Sequence, residues 1–132
     1  MDAIKHFEEG YSCSESLVRE GIDLGICDES ILSAATAFSG GLSSGCLCGA
    51  ISGSLMVLSS LYGKNNKFGN EVKAKKIAAE FVQRFKEKFP ATCCRVLSKD
   101  FEFHSPERRE HCKQIVEYCS KIMKELTLYE RV

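Results

Sequence analysis

The stretch "SGGLSSGCLCGAISGSLMVLSSLYG" (residues 39–63) decides the fold. From Cys46 to Tyr62 the spacing of Ala50, Gly53, Val57 and Leu61 predicts a helix with a small-residue face, which another backbone can approach closely. Gly63 stops it. Ahead of it, residues 39–53 hold five glycines, four serines and two cysteines, predicting a flexible loop that turns into a helix start and presents thiols there.

Working outward, the flanking segments also carry helical periodicity and none alternates with period two. A short helix is expected around residues 2–9. Ser12 is positioned to cap a second, in which Cys13, Leu17 and Leu24 recur until Gly25. Asp28 is the expected cap of a third, with Ile31, Leu32, Ala35 and Phe38 on one face as far as Gly40 and Gly41. Downstream, Val72, Ile77, Phe81, Phe85 and Phe89 form one stripe over residues 70–89, and Pro90 ends it. "TCCRVL" is one expected helical turn. Ser105-Pro106 then opens a last helix in which Cys112, Ile115, Cys119, Ile122 and Leu126 share a face. The expectation is an all-α single domain over residues 1–132: a compact bundle of four to six helices with a glycine-rich, cysteine-bearing loop.

Charge and composition exclude several roles. Eighteen basic and eighteen acidic residues balance, and no run of Lys or Arg tracks a phosphate backbone, so nucleic acid is not an expected partner. The first residues, "MDAIKHFEEGYSC", lack the basic start and apolar run of a secretory signal. "LMVLSSLYG" falls short of the roughly 20 apolar residues of a membrane span. A cytoplasmic protein is expected, with Leu58 and Leu61 on a helix face that would suit a homodimer.

The eight cysteines, at 13, 27, 46, 48, 93, 94, 112 and 119, are the compositional anomaly. In a reducing compartment they point to metal binding or thiol chemistry rather than a disulfide framework. Cys27 and Cys119 read as small buried hydrophobes. Cys46 and Cys48 stand where unpaired N–H groups and the helix dipole would favour a thiolate, and Gly45, Gly49 and Gly53 would let backbone approach a cofactor or partner sulfur. Gly40 and Gly45 have the spacing of a phosphate-binding loop, but Cys46-Leu47 replaces its Lys and Ser or Thr. No C-x-x-C occurs, so any converging cysteines are brought together by the fold. Cys13 begins one helix and Cys48 another, Cys93-Cys94 follows the end of a third and supplies at most one ligand, Cys94 or Cys93, and Cys112 lies in the first turns of the last; four thiolates converging from these places would suit an iron–sulfur cluster or a tetrahedral zinc. His104 and His111 read as surface histidines, and no paired carboxylates or Ser/His arrangement suggests hydrolysis.

With "CGAISG" at residues 48–53, "YSCSESL" around Cys13, "CCRVL" around Cys94 and "HCKQIV" around Cys112, the chain resembles the C_GCAxxG_C_C family of small redox-active proteins over nearly its whole length. The resemblance implies a redox role, and a related domain in multihaem cytochromes suggests electron transfer, although C-x-x-C-H is absent and covalent haem is not expected. The leading expectation is a [2Fe–2S] cluster on Cys13, Cys48, Cys94 and Cys112. The alternatives are thiol–disulfide exchange, with Cys48 attacking and Cys46 or Cys94 resolving, zinc on the same four thiolates, and a helical interaction protein with no cofactor. The electron or thiol partner stays unidentified.

Overall fold

A computed structural model describes residues 2–128. It is all-α: α1 (Ala3–Glu8), α2 (Cys13–Asp23), α3 (Ser30–Ala35), α4 (Gly49–Tyr62), α5 (Val72–Lys88), α6 (Cys94–Leu97) and α7 (Pro106–Leu126). Four of these are long and three are single-turn or two-turn connectors. Among the described residues the only extended pairing is one antiparallel bridge between Leu47 and Cys93. No described helix is long and apolar enough to cross a membrane.

Helix α4 is the axis of the bundle, packed by α2, α5 and α7. Its small residues explain why. A Cβ on Gly53 would stand 2.4 Å from the Ser14 carbonyl oxygen, and one on Gly21 would stand 2.6 Å from Val57. Helices α2 and α4 therefore touch backbone to backbone, an approach only glycine allows. On α5 and α7 the expected stripes are buried: Ile77, Phe81 and Phe85 on one, Ile115, Cys119, Ile122 and Leu126 on the other. Val72 is exposed instead, because α5 begins there and overhangs the core. Leu58 belongs to the core and only Leu61 faces outward, so the two do not form a common outer surface.

Capping follows the sequence at two helices. Ser12 accepts from the Glu15 backbone while the Glu15 side chain accepts from the Ser12 N–H, a full capping box. Ser105 accepts from the Arg108 N–H, with Pro106 at the first helical position. Two boundaries differ from expectation. Helix α3 starts after Glu29, with Asp28 accepting from the Ser30 N–H just ahead of it, and gives way to a 3₁₀ turn at Thr36–Phe38. Helix α4 starts at Gly49, not Cys46, because the Cys48 N–H donates to the Thr92 carbonyl and the Cys94 N–H to that of Cys46. That short ladder holds residues 46–48 extended and staples them to the start of α6.

A carboxylate is buried between three helices. Glu20 of α2 is 2% exposed; its carboxylate accepts from the Ala3 N–H at 3.1 Å and the Ser120 hydroxyl at 2.6 Å, with the Lys124 ammonium at 3.7 Å. Three helices are thereby tied to one side chain.

Candidate functional site: a four-cysteine cleft

The first turn of α2 supplies Cys13, the residue capping α4 supplies Cys48, the start of α6 supplies Cys94, and α7 supplies Cys112. All four line one cleft of about 600 Å³. Cys48 and Cys94 are buried, whereas Cys13 and Cys112 are half-buried. The starts of α2 and α4 and the Ser105 cap of α7 also line it, and backbone N–H groups reach two of the sulfurs, Ser14 to Cys13 and Ala50 and Ile51 to Cys48.

Gly45, Gly49 and Gly53 have separate jobs. Gly49 lines the cleft, and a Cβ there would stand 2.5 Å from the Cys13 sulfur, so this glycine lets Cys13 come up beside Cys48. Gly53, one turn on, is the contact with Ser14 described above. Gly45 has φ +77° and packs on Arg95, away from the cleft lining. Cys46 is exposed and is also outside that lining, as is Cys93. Cys119 is fully buried in the core, and Cys27 packs beside Gly21.

The loop before Cys46 is a left-handed turn. Gly40, Gly41, Leu42 and Ser43 are consecutive residues with φ between 57° and 65°. Two of them are not glycine, and each such residue costs roughly 1–2 kcal/mol. The turn is fixed by the Ser43 hydroxyl on the Ala37 carbonyl and by the Cys46 N–H on that of Gly41. It is also fixed by contact, since a Cβ on Gly41 would stand 2.7 Å from the Cys94 Cβ.

Electrostatics overturn one expectation. Helix starts were expected to favour thiolates, but burial pushes Cys48 up to about 12, with the neighbouring Cys13 adding to it and the N–H groups of Ala50 and Ile51 opposing it. Cys112 is pushed up to about 11 by burial, against the pull of Arg108. Cys13 is raised by burial too, opposed by hydrogen bonds from the backbone of Gly40 and Ser14. Desolvation outweighs dipoles at Cys13, Cys48 and Cys112.

The sign of the pH dependence follows. Below pH 9 folded and unfolded chains both keep these protons, so stability is intact; above the usual thiol value of 9.0 the unfolded chain releases protons that the fold retains. Stability of the metal-free protein is expected to fall by up to roughly 1.4 kcal/mol per pH unit for each raised thiol. Urea midpoints from neutral pH to about pH 11 measure this, and Cys48→Ser should flatten the decline. A flat wild-type profile would show that the thiols ionise freely.

Sequence reading missed the residues that complete the cleft. Arg108 donates from Nη2 to the Cys94 sulfur at 3.0 Å and lies over the Phe103 ring at 4.7 Å. Arg109 donates to the carbonyls of Phe7 and Tyr11 and lies over the Phe7 ring at 3.9 Å. The available signal was spacing: Arg108 and Cys112 are four apart on α7, hence on one face. His104 is at the cleft, and His111, outside it, donates from Nε2 to the Leu97 carbonyl and accepts at Nδ1 from the Gln114 amide.

Among the described residues no three Cys, His, Asp or Glu side chains are grouped to hold a metal ion. The sulfurs stand around the cleft rather than on one point.

No curated protein and no solved structure matches the chain. The family described as "Putative redox-active protein (C_GCAxxG_C_C)" matches residues 11–126, which include all four cleft cysteines and both glycines of the CGAISG segment. The chain belongs to that family.

Proposed function

We propose that this protein is a cytoplasmic electron carrier in which Cys13, Cys48, Cys94 and Cys112 hold a [2Fe–2S] cluster and pass electrons to a protein partner. The observation that carries the reading is one cleft lined by four cysteines from four helices, with backbone N–H groups on Cys13 and Cys48 and the Arg108 guanidinium on Cys94. A tetrathiolate cluster is anionic, so these donors favour it. The donor chemistry fits as well: Glu15 is the one carboxylate among the described lining residues, and its oxygens are taken by the Ser12 N–H and the Thr36 hydroxyl.

A [2Fe–2S] cluster would divide its four thiolates between two irons, whereas a single zinc would gather all four on one ion. When bound, the cluster would supply one-electron chemistry. The chain's own groups would set its environment: Arg108 donates to the Cys94 sulfur, while Ile115 and Val116 exclude water from one wall. Neutral thiols must lose protons to ligate, so loading should strengthen as pH rises.

Thiol exchange with Cys48 as the attacking group has less support, since that thiol is 6% exposed and pushed up to about 12. The deciding experiment is metal and sulfide analysis with a visible spectrum, on protein purified without oxygen or chelator. Iron and sulfide in comparable amounts are expected, lost in Cys48→Ser and Cys112→Ser and kept in Cys27→Ser. Colourless, iron-free protein would overturn the reading.

A further inference from the structure

We infer that the mouth of the cysteine cleft binds a small molecule through an anionic oxygen group, carboxylate or phosphate, received by Arg108. The inference does not depend on the cluster.

Room is the first argument. About 600 Å³ is the size of a small-ligand site, and the buried Cys48 and Cys94 form its floor while the exposed Phe103, His104 and Arg109 form its mouth. Charge is the second. Among the described residues neither Arg108 nor Arg109 has a carboxylate partner, and the two Glu15 oxygens accept from the Ser12 N–H and the Thr36 hydroxyl instead. Arg108 spends one N–H on the Cys94 sulfur and rests on Phe103, which leaves the remaining donors of a flat, pre-oriented guanidinium for a ligand. Such a fork matches the oxygens of a carboxylate or phosphate.

Backbone strain at the mouth is the third. His104 holds φ +65°, left-handed for a residue that is not glycine, with its ring 4.2 Å from that of Phe103. Strain of this kind gathers at ligand clamps. Phe103 in turn reaches over the left-handed turn, its Cζ 3.6 Å from where a Cβ on Gly40 would be. The aromatic corner, the arginine and the turn thus enclose one opening.

The test is calorimetry on the metal-free full chain at low ionic strength, titrating inorganic phosphate and, separately, acetate. Saturable binding of either is expected, weakened about tenfold or more by Arg108→Gln, partly kept by Arg108→Lys and unchanged by Lys86→Gln on α5. Phosphate alone binding would identify a phosphate-bearing ligand, and acetate alone a carboxylate. Arginine Nε–H shifts in the unmodified protein on adding either anion give the same answer if Arg108→Gln folds poorly. Absence of saturable binding, or equal weakening by Arg108→Gln and Lys86→Gln, overturns the inference. Because no metal is present, loss of the cluster reading leaves this result standing.

Discussion

Gly53→Ala is expected to cost about 2–3 kcal/mol, and Gly53→Leu to abolish cooperative folding. The added Cβ would meet the Ser14 carbonyl oxygen at 2.4 Å and the Ser14 Cα at 3.0 Å. These are backbone atoms, which cannot rotate aside, so α2 must move off α4 and open the largest helix contact in the protein. Alanine normally gains up to about 1 kcal/mol over glycine inside a helix, so a net loss identifies the clash. Denaturant midpoints measure it. Since Cys13 precedes Ser14, loading of the proposed cluster should fall with stability in the alanine variant; unchanged stability would show that α2 does not sit against this glycine.

Glu20→Ala should be of similar or greater size, about 3–5 kcal/mol. Its removal strands the Ala3 N–H and the Ser120 hydroxyl in a site from which water is excluded. A protein of this size has about 5–15 kcal/mol in total, so the variant is expected to melt far below wild type. Glu20→Gln keeps the shape and one acceptor oxygen, but turns an amide donor toward one of two donors, and should lie between. A Glu20→Ala protein as stable as wild type would show that the carboxylate's burial costs as much as its hydrogen bonds return.

The stripes of α5 and α7 were legible because burial of Phe81, Phe85, Ile115 and Ile122 follows helical period alone. Family resemblance and helix starts together led to the four cleft cysteines. What local sequence could not carry was pairing across the chain. The Leu47–Cys93 bridge shortens α4 from its N-terminus, and nothing near Cys46 announces Thr92 as its neighbour. Desolvation was hidden for the same reason: the thiol at the cap of α4 is raised by what packs over it, not by the helix it starts. Glu20, on the apolar side of α2 with Leu17, was a visible conflict with the pattern, and the buried carboxylate node was its meaning.

The four walls of the cleft come from α2, α4, α6 and α7, with Cys13 and Cys112 toward opposite ends of the chain. During synthesis the first three cysteines leave the ribosome without a site to share, and the cleft closes only once α7 has docked on α1, α2 and α4. A chain without α7 therefore lacks Cys112 and a whole wall of the cleft, so the cleft is a property of the full helical assembly and of no smaller part of it.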